Sequence, residues 1–349
     1  MRVVAGDIGG THARLAVVDI DETHVRVIHE HQYASRDFQS LAPIVHEFLA
    51  AAAEHPPVGH AAFGVAGPVS DGRTATPNLP WTLDERDLAR AIGIPDTHLL
   101  NDLDAIARGI ARLDSRDLIT LQAGAPEEHG VVALIGAGTG LGEAFATWGG
   151  AGYRTHPSEG GHASFAPRTG LERELLAWLA ADLGHVSSER VLSGPGLANI
   201  YRFLAERESP PSREHAAVRD AVANEGAAAV SRFALDGSDA LCVAALDLFA
   251  SAYGSKAGNL ALTVLAMGGV YVVGGIAPAI VKKLVDGTFL AAFRDKGRLS
   301  EMMQRIPVRV VMNGDVGLYG AALAAFEEAV HPSSAAGATN SIIDNVGVH

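Results

Sequence analysis

The sequence predicts an α/β protein built from a duplicated fold. Strand patterns come first and are followed by alternating strands and helices, an order typical of α/β domains. Two apolar strand pairs, each joined by a glycine-rich turn, lie about 130 residues apart, at 3–18 and 131–146. Their similarity indicates two related units, and the length of 349 residues also favours about two domains.

Composition and charge exclude several classes of protein. Hydrophobic residues make up 48% of the chain, enough for substantial cores, and the net charge of −13 argues against nucleic acid or an anionic membrane as a general partner. Cys242 is the only cysteine, so an intrachain disulfide and a cysteine-rich zinc site are both excluded. No charged leader with a long apolar stretch opens the sequence, and no run of about 18 apolar residues occurs. We therefore expect a cytoplasmic protein.

The first strand pair encloses Gly9-Gly10-Thr11 and carries Asp7 at the end of its first strand. Glycines permit positive φ and leave no Cβ to block a ligand, so successive backbone N–H groups can converge on a phosphate, and the Thr11 hydroxyl adds a donor. Asp7 is suited to hold the water shell of a Mg²⁺ ion that bridges to the phosphate. A plain β-hairpin explains the same Gly-Gly pattern without a ligand, and this motif alone leaves both interpretations open.

The elements after this hairpin follow in order along the chain. Apolar runs and helical spacing predict strands at 25–28, 61–69, 98–100, 270–273 and 308–312, and helices at 41–53, 103–113 and 316–330. Pro278 is suited to the first turn of a further helix that continues through Leu284. Residues 331–349 are rich in Ser, Ala, Gly and Asn, and we expect them to form a flexible tail.

Two more glycine-rich turns follow apolar strands, at 136–142 and at Gly274-Gly275. No Gly-Lys-Ser/Thr sequence completes the turn at 136–142, which excludes a Walker A loop, and no long helical pattern begins there, as a Rossmann turn requires. Together with the first hairpin, this turn favours a fold that holds phosphates from both sides. The strand before Gly274 is continuously apolar, which is typical of a central strand buried on both faces.

Asn101 and Asp102 lie between a short predicted strand and a predicted helix. The ordinary role of either residue at such a junction is to cap the helix by accepting its free N–H groups. The helix dipole also favours an ionised carboxylate at this end, which suits Asp102 to act as a base.

Further polar residues lie between the second and third glycine turns. Glu159 and His162 share one turn-rich segment, and Glu189 lies in another. Glu159 and His162 could ligate a metal, but no third ligand follows at a spacing typical of a metal site. Carboxylates and imidazoles in a closed site suit a neutral polyol, because each pairs with a hydroxyl and rejects a ligand that leaves it unpaired. Glu189 has the alternative of stabilising a helix N-terminus by its charge.

Taken together, these segments resemble the bacterial glucokinase family, of the sugar kinase, heat-shock protein and actin superfold. The resemblance runs from Gly6 to about Phe326 and rests on the stretches Gly6-Asp7-Ile8-Gly9-Gly10-Thr11, Leu100-Asn101-Asp102, 136–142, Glu159-Gly160-Gly161-His162, 188–196 and Gly274-Gly275-Ile276. It implies a two-domain actin-like ATPase (ribonuclease H-like) fold with duplicated mixed sheets, flanking helices and an interdomain cleft. The small α/β domain would comprise 1–113 and about 315–330, and the large α/β domain 114–314.

The resemblance also implies the activity and its residues. A glucokinase phosphorylates D-glucose to glucose 6-phosphate with ATP, the first step of glycolysis, and Asp102 would be the general base for in-line transfer. Mg²⁺ would accompany ATP, without a direct protein ligand and with Asp7 reaching it through water, and no zinc is expected. The implied glucose contacts are Asn78, Asn101, Asp102, Glu159, His162 and Glu189, and the implied ATP contacts are Asp7, Gly9, Gly10, Thr11, Gly138, Thr139, Gly274 and Gly275.

Two other functions fit parts of the sequence. A hexokinase-like kinase of the repressor, open-reading-frame and kinase group would act on another hexose or an aminosugar, but that group typically carries a cysteine-rich zinc motif that is absent here. An actin-like scaffold or a nucleotide-switched sugar sensor would not explain the polar residues of 159–189. Glucose and ATP are therefore the expected partners, nucleic acid and membrane are not, and a homodimer is left open.

Overall fold

The computed structural model describes residues 1–52, 58–76, 79–150, 153–207 and 216–330. Its strands are β1 (Arg2–Ile8), β2 (His12–Ile20), β3 (Val25–Ala34), β4 (His60–Val65), β5 (Arg73–Ala75), β6 (Thr82–Asp84), β7 (Asp96–Asn101), β8 (Leu118–Gln122), β9 (Val132–Ala137), β10 (Leu141–Trp148), β11 (Tyr153–Ser158), β12 (Gly269–Val273) and β13 (Val308–Val311). Its α-helices are α1 (Leu41–Ala51), α2 (Glu85–Ile92), α3 (Asp102–Ile110), α4 (Gly170–Leu183), α5 (Gly194–Arg207), α6 (Ala216–Glu225), α7 (Ala227–Leu235), α8 (Ala240–Val264), α9 (Ile276–Ala279), α10 (Val281–Leu284), α11 (Thr288–Arg294), α12 (Ser300–Arg305) and α13 (Val316–Val330).

The first sheet has the strand order β3-β2-β1-β4-β7. The strands β3, β2 and β1 form an antiparallel run, whereas β4 is parallel to β1 and β7 is parallel to β4. β1 lies inside this sheet, and the residues on both of its faces are mostly buried. Helices α1 and α2 cover one face through Leu41, Phe48 and Leu88.

The second sheet repeats this arrangement. Its order is β11-β10-β9-β12-β13-β8, in which β11, β10 and β9 form the antiparallel run, β12 is parallel to β9, and β13 is parallel to β12. The strands β9 and β10 thus correspond to β1 and β2, and β12 and β13 correspond to β4 and β7. The duplication predicted from the two glycine hairpins is therefore confirmed.

One helix of the second unit supports the second glycine turn directly. Helix α8 packs into the core beside α5, α7 and α11, and its Tyr253 is fully buried. The Tyr253 hydroxyl donates to the Ile135 carbonyl at 3.2 Å and accepts from the Ala137 N–H at 3.1 Å. Since Ala137 is the last residue of β9, this hydroxyl fixes the end of the strand from which the turn begins.

Helices α3 and α13 pack closely on the other face of the first sheet. A Cβ added at Gly109 would lie 1.9 Å from the Val316 carbonyl oxygen, and one at Gly320 would lie 1.6 Å from the Ala105 carbonyl oxygen. Helix α13 also contacts β1 and β4, whereas α3 contacts β10 and β11 of the second sheet. Helix α3 therefore touches both sheets.

The chain passes between the two sheets at two segments that bond to each other. Asp117, just before β8, accepts a hydrogen bond at Oδ1 from Asn313 Nδ2 at 2.9 Å, and its carbonyl accepts one from the Met312 N–H at 2.7 Å. Arg14 of β2 donates to the Gly314 carbonyl at 2.7 Å and pairs with Asp315 at 2.5 Å. Both connecting segments are thereby held together, and one of them is anchored to the first sheet.

Some elements differ from the sequence prediction. The helix predicted around Pro278 is divided into α9 and α10 at Ile280, whose φ of −109° and ψ of 20° interrupt the helix. The strand predicted over 61–69 ends at Val65, and Gly67 turns the chain with a φ of 109°. The segment 331–349, predicted to be a tail, lies outside the described residues. Within the described ranges, no helix combines the length and apolarity that a membrane span needs.

Candidate functional site

The first glycine turn is held by hydrogen bonds to its own strand pair and to Ser35. The Gly9 N–H donates to the His12 carbonyl at 2.9 Å, which closes the turn between β1 and β2. Buried Ser35 follows β3, and its hydroxyl donates to the Gly9 carbonyl at 2.9 Å while its N–H donates to the Thr11 carbonyl at 3.0 Å. Neither Gly9 nor Gly10 has a positive φ, so that part of the prediction is wrong for this turn.

The second and third glycine turns lie side by side. The Gly138 N–H donates to the Gly140 carbonyl at 2.9 Å, and the Gly138 carbonyl accepts from the Gly194 N–H at the start of α5 at 2.8 Å. Gly274 has a φ of 82°, and a Cβ there would lie 2.7 Å from the Ala137 carbonyl oxygen. Glycine is required at 274 both by this backbone angle and by the close approach to β9.

Glu189 is bound to the second turn. Its Oε2 accepts a hydrogen bond from the Leu141 N–H at 3.0 Å, and a Cβ added at Gly140 would lie 2.4 Å from the same oxygen. The Glu189 carboxylate therefore lies against the turn backbone, and a role at a helix N-terminus does not describe its contacts. The residues of 188–190 form one 3-10 turn that comes before α5.

Asn101 ends β7 and caps α3. Its Oδ1 accepts a hydrogen bond from the Leu103 N–H at 3.0 Å, and its Nδ2 donates to the Gly67 carbonyl at 3.0 Å. The capping role predicted for this junction is therefore confirmed for Asn101. An amide oxygen and an amide nitrogen each retain capacity for one further hydrogen bond, so a ligand can still be bound.

Asp102 is the first residue of α3, and its Oδ1 accepts a hydrogen bond from the Leu103 N–H at 2.8 Å. Loss of hydration raises the pKa of Asp102 to about 6, the hydrogen bond from Leu103 opposes this rise, and the nearby Asp7 carboxylate adds to it. The helix dipole is expected to favour the ionised form, but the net shift has the opposite sign, because the loss of hydration is the larger influence. The result is a carboxylate that changes protonation state near neutral pH.

Asp7 lies between the first glycine turn and the beginning of α13. It is paired in register with Arg14 of β2, and a Cβ added at Gly317 would lie 3.4 Å from the Asp7 carboxyl carbon. Burial raises the pKa of Asp7, and the positive charge of Arg14 opposes that rise. Since the Asp7 charge also affects Asp102, the two carboxylates share one end of the first sheet.

Glu159 and His162 project from one tight turn after β11. The His162 N–H donates to the Glu159 carbonyl at 3.0 Å, and the nearest side-chain atoms of the pair, Nε2 and Oε2, are 3.6 Å apart. Their side chains are 61% exposed for His162 and 72% for Glu159, whereas the backbone between them is tightly packed. A Cβ added at Gly161 would lie 1.9 Å from the Leu141 carbonyl oxygen, so only glycine fits against β10 there.

The described ranges contain no cluster of three or more His, Cys, Asp or Glu side chains that could hold a metal ion. Glu159 and His162 therefore gain no third ligand from that part of the chain. Thr139 lies in the second glycine turn between Gly138 and Gly140, and Asn78 lies outside the described residues.

A cavity of about 560 Å³ lies between α3, α13 and the second sheet, but it is separate from the predicted site. Its lining includes Arg112, Trp148, Tyr153 and Tyr271, and none of the predicted site residues. Trp148 ends the strand that begins at Leu141, so this cavity and the second glycine turn lie at opposite ends of β10.

Two supports of the site are not predicted by the sequence patterns. Ser35 holds the first turn, and an ion pair between Glu143 and Lys256 lies beneath the turn that carries Glu159 and His162, with the Lys256 Nζ also donating to the Gly160 carbonyl. A charged residue inside a largely apolar strand, as at Glu143, is a signal of such a pair. For Ser35 no comparable signal exists.

Comparison with known proteins gives the family and the fold of the chain. Residues 4–328 match the family model described as Glucokinase. The chain is 44% identical over 338 residues to a curated glucokinase of Nostoc sp., covering 93% of this chain and 98% of that protein. A glucokinase crystal structure from an Antarctic psychrotroph aligns with a TM-score of 0.79 at 32% identity, covering 93% of this chain and 99% of that one.

A more distant structure bears on the fold alone. A ROK family glucokinase from Streptomyces griseus, in complex with glucose and AMPPNP, aligns with a TM-score of 0.66 at 24% identity, covering 94% of this chain and 100% of that one. The structural likenesses confirm the predicted two-domain actin-like ATPase fold with its cleft. The family match, the identity to curated relatives and the fold agree, and the chain belongs to the glucokinase family.

Proposed function

We propose that this protein transfers the γ-phosphoryl group of ATP to D-glucose, giving glucose 6-phosphate. The single observation that carries this proposal is the position of Asp102, a poorly hydrated carboxylate at the start of α3, where that helix meets the second glycine turn. A Cβ added at Gly142 would lie 2.6 Å from Leu103 Cδ1, so the residue after Asp102 packs directly on this turn. A phosphoryl donor held by the turns would therefore lie beside a base.

Asp102 acts as the general base in this proposal. A sugar hydroxyl is too weakly acidic to be ionised at neutral pH, and a carboxylate that accepts its proton as the bond to phosphorus forms removes this barrier. A carboxyl group whose pKa is raised to about 6 is a better proton acceptor than an ordinary aspartate, yet it remains mostly ionised at pH 7. Asn101 would orient the same hydroxyl through its remaining hydrogen-bonding capacity.

The three glycine turns hold the nucleotide in this proposal. A Cβ added at Gly138 or Gly275 would meet no atom within 4 Å, and neither residue has a positive φ. Protein packing and backbone angles therefore do not explain glycine at these two positions, whereas close approach of a ligand does. Gly9, Gly10, Thr11, Thr139 and Gly274 would complete the nucleotide contacts.

The residues present suit a magnesium ion that arrives with ATP. Mg²⁺ prefers oxygen ligands and keeps several of its waters, and the Asp7 carboxylate lies beside the first turn with a pKa that burial raises. A nearby divalent cation would favour the ionised form of Asp7. When bound, Mg²⁺ would neutralise phosphate charge. Asp7 would hold it through water.

The sugar would be held from both units. Asn101 and Asp102 lie at the first sheet, and Glu159, His162 and Glu189 lie beside the second. We propose domain boundaries that match this division, with residues 1–113 and 315–330 forming a small domain and 114–314 a large one. The mutual bonds of Asp117, Met312 and Asn313 support a hinge at the two connecting segments.

A kinetic screen tests the proposed function. The purified protein is assayed with ATP against glucose, mannose, fructose and aminosugars, each with and without Mg²⁺, and its metal content is measured. We expect the highest kcat/KM with glucose, no turnover in a chelator, and no stoichiometric zinc. Preference for another hexose or an aminosugar would contradict glucose as the substrate, and tight nucleotide binding without transfer to any sugar would favour a sensor or scaffold.

A further inference from the structure

A buried ion pair lies directly beneath the turn that carries Glu159 and His162. Glu143 of β10 is 3% exposed and Lys256 of α8 is 17% exposed, and the Lys256 Nζ is 2.9 Å from the Glu143 Oε1. The same Nζ donates a hydrogen bond to the Gly160 carbonyl at 2.9 Å. One ammonium group thus joins a strand, a helix and the turn.

The carboxylate is in equally close contact with this turn. Glu143 is paired in register with Ser158, the residue before Glu159, and the Ser158 hydroxyl accepts a hydrogen bond from the Gly160 N–H at 3.0 Å. A Cβ added at Gly160 would lie 2.1 Å from the Glu143 Oε2. The Glu143 carboxylate therefore packs directly against Gly160, and Lys256 binds the Gly160 carbonyl.

Stability alone is a poor explanation for this pair. Removing two charges from water is costly, and apolar residues of similar volume often replace a buried ion pair at no loss of stability. Apart from Thr147, the rest of this strand is apolar, so hydrophobic residues would suit position 143. What apolar residues could not supply is the charged donor that fixes the Gly160 carbonyl.

We propose that Lys256 and Glu143 are positioning residues for the sugar: they fix the 159–162 turn and thereby set the affinity and hydroxyl selectivity for glucose without contacting it. This inference rests on the proposed function. The side chains of Glu159 and His162 are largely exposed, so the position of both as ligands depends on how firmly the backbone of the turn is held.

The test compares Lys256→Met with a matched control, Lys283→Met. Lys283 of α10 is 15% exposed and pairs with Asp247 of α8 and, at 2.5 Å, with Asp286, and neither of these ion pairs involves the turn. We expect K256M to raise the KM for glucose about tenfold, the usual effect of losing a hydrogen bond from a charged group. The KM for ATP and kcat should change by less than about threefold, and K283M should leave all three near wild-type values.

Two further measurements complete the test. With a set of monodeoxyglucoses, K256M should reduce the penalty for at least one missing hydroxyl, because a loose turn discriminates less. Without any ligand, hydrogen exchange at the amides of 159–163 should be about tenfold faster in K256M than in K283M, as expected when the same hydrogen bond is lost. The variant E143Q/K256M leaves no lone buried charge, and it takes the place of K256M if the single variant fails to fold.

The outcomes separate this inference from the proposed function. Unchanged glucose KM and unchanged exchange in the turn would overturn it, as would equal increases in the KM for glucose and for ATP. If the wild type does not phosphorylate glucose, the proposed function fails, whereas the exchange experiment still decides whether the pair fixes the turn.

Discussion

Asp102 has opposing influences on its ionisation, and their balance leads to a pH prediction. Loss of hydration and the Asp7 charge raise its pKa, against the hydrogen bond from Leu103, to about 6. A general base must be unprotonated, so activity should fall as the pH decreases through this value. We expect kcat/KM for glucose to decrease about tenfold per pH unit below pH 6 and to level off above pH 7. A flat profile between pH 5 and pH 7 would contradict the assignment of Asp102.

Replacing Asp102 tests its role more directly. Asp102→Asn keeps the shape of the side chain and one acceptor for the Leu103 N–H, but it removes the basic oxygen. We expect kcat to fall about 10²-fold or more, within the usual range for acid–base catalysis, while the KM for ATP changes little. Near-normal turnover at saturating glucose and ATP would reject Asp102 as the base.

The same variant should not be less stable than the wild type. The folded-state pKa of Asp102 is about 6, above its ordinary value of 3.8, so the folded protein binds this proton more tightly than the unfolded chain does. Ionisation therefore costs stability, and this cost develops as the pH rises from about 4 to about 6 and persists above. We expect D102N to have a higher Tm than the wild type at pH 8, with the difference shrinking toward pH 4. A lower Tm at pH 8 would show that the carboxylate acts mainly as a structural cap.

At this scale the sequence predicts contacts that are local and misses those that are not. Asn101 is predicted as a cap because an acceptor just before helical spacing has one common use, and the structure agrees. The raised pKa of Asp102 comes mainly from burial and in smaller part from Asp7, which lies far away in the chain, whereas the sequence indicates only the opposing helix dipole. The ion pair of Glu143 and Lys256 likewise joins residues from a strand and a distant helix.

At the scale of elements, the close packing of α3 and α13 determines where Asp102 lies. Gly320 is in the middle of α13, where alanine would ordinarily stabilise the helix by about 1 kcal/mol. In this protein a Cβ at 320 would lie 1.6 Å from the Ala105 carbonyl oxygen, so α3 must move to accommodate it. The packing effect therefore has the opposite sign to the helix propensity.

Gly320→Ala should be destabilising by about 1–3 kcal/mol, as is usual for overpacking, and it should lower kcat because α3 carries Asp102. Gly170→Ala is the matched control, since Gly170 begins α4 and a Cβ there would meet only the Arg173 Nη2, at 3.8 Å. Chemical denaturation measures the free energy of unfolding of the two variants, and steady-state kinetics measures their kcat. Equal stability of G320A and G170A would show that α3 and α13 separate without cost.

The sequence predicts most of these elements but not their partners. Helical spacing indicates α3 and α13, and apolar runs indicate β1, β9 and β12, because burial on two faces favours apolar residues. Glycine ordinarily weakens a helix, and only the close pairing of the two helices explains Gly109 and Gly320. The bounds of β3 and the division of α9 from α10 depend on tertiary packing in the same way.

At the scale of the whole molecule, the duplicated sheets place predicted sugar ligands on two separate units. The duplication is predictable because each glycine hairpin is a local motif and the two are alike. The connections between the units are not, since Arg14 bonds to Gly314 and Asp315 across the length of the chain. These bonds anchor the second connecting segment to the first glycine hairpin.

Glucose should therefore bring the two units together. The side chains of Glu159 and His162 are largely exposed, and a sugar on Asn101 and Asp102 would be enclosed only if these side chains approach from the second unit. Closure excludes water from the site and limits hydrolysis of ATP. We expect saturating glucose to reduce the radius of gyration in X-ray scattering and to slow hydrogen exchange around 101–103 and 159–163.

The double variant E159A/H162A is the control for this prediction, because it removes two ligands of the second unit and leaves the hinge intact. It should show neither the compaction nor the slower exchange at the same glucose concentration. If the wild type binds glucose without compaction and without a change in exchange at 159–163, the sugar is held by the first unit alone. In that case the selectivity for glucose must come from Asn101, Asp102 and their neighbours rather than from the turn after β11.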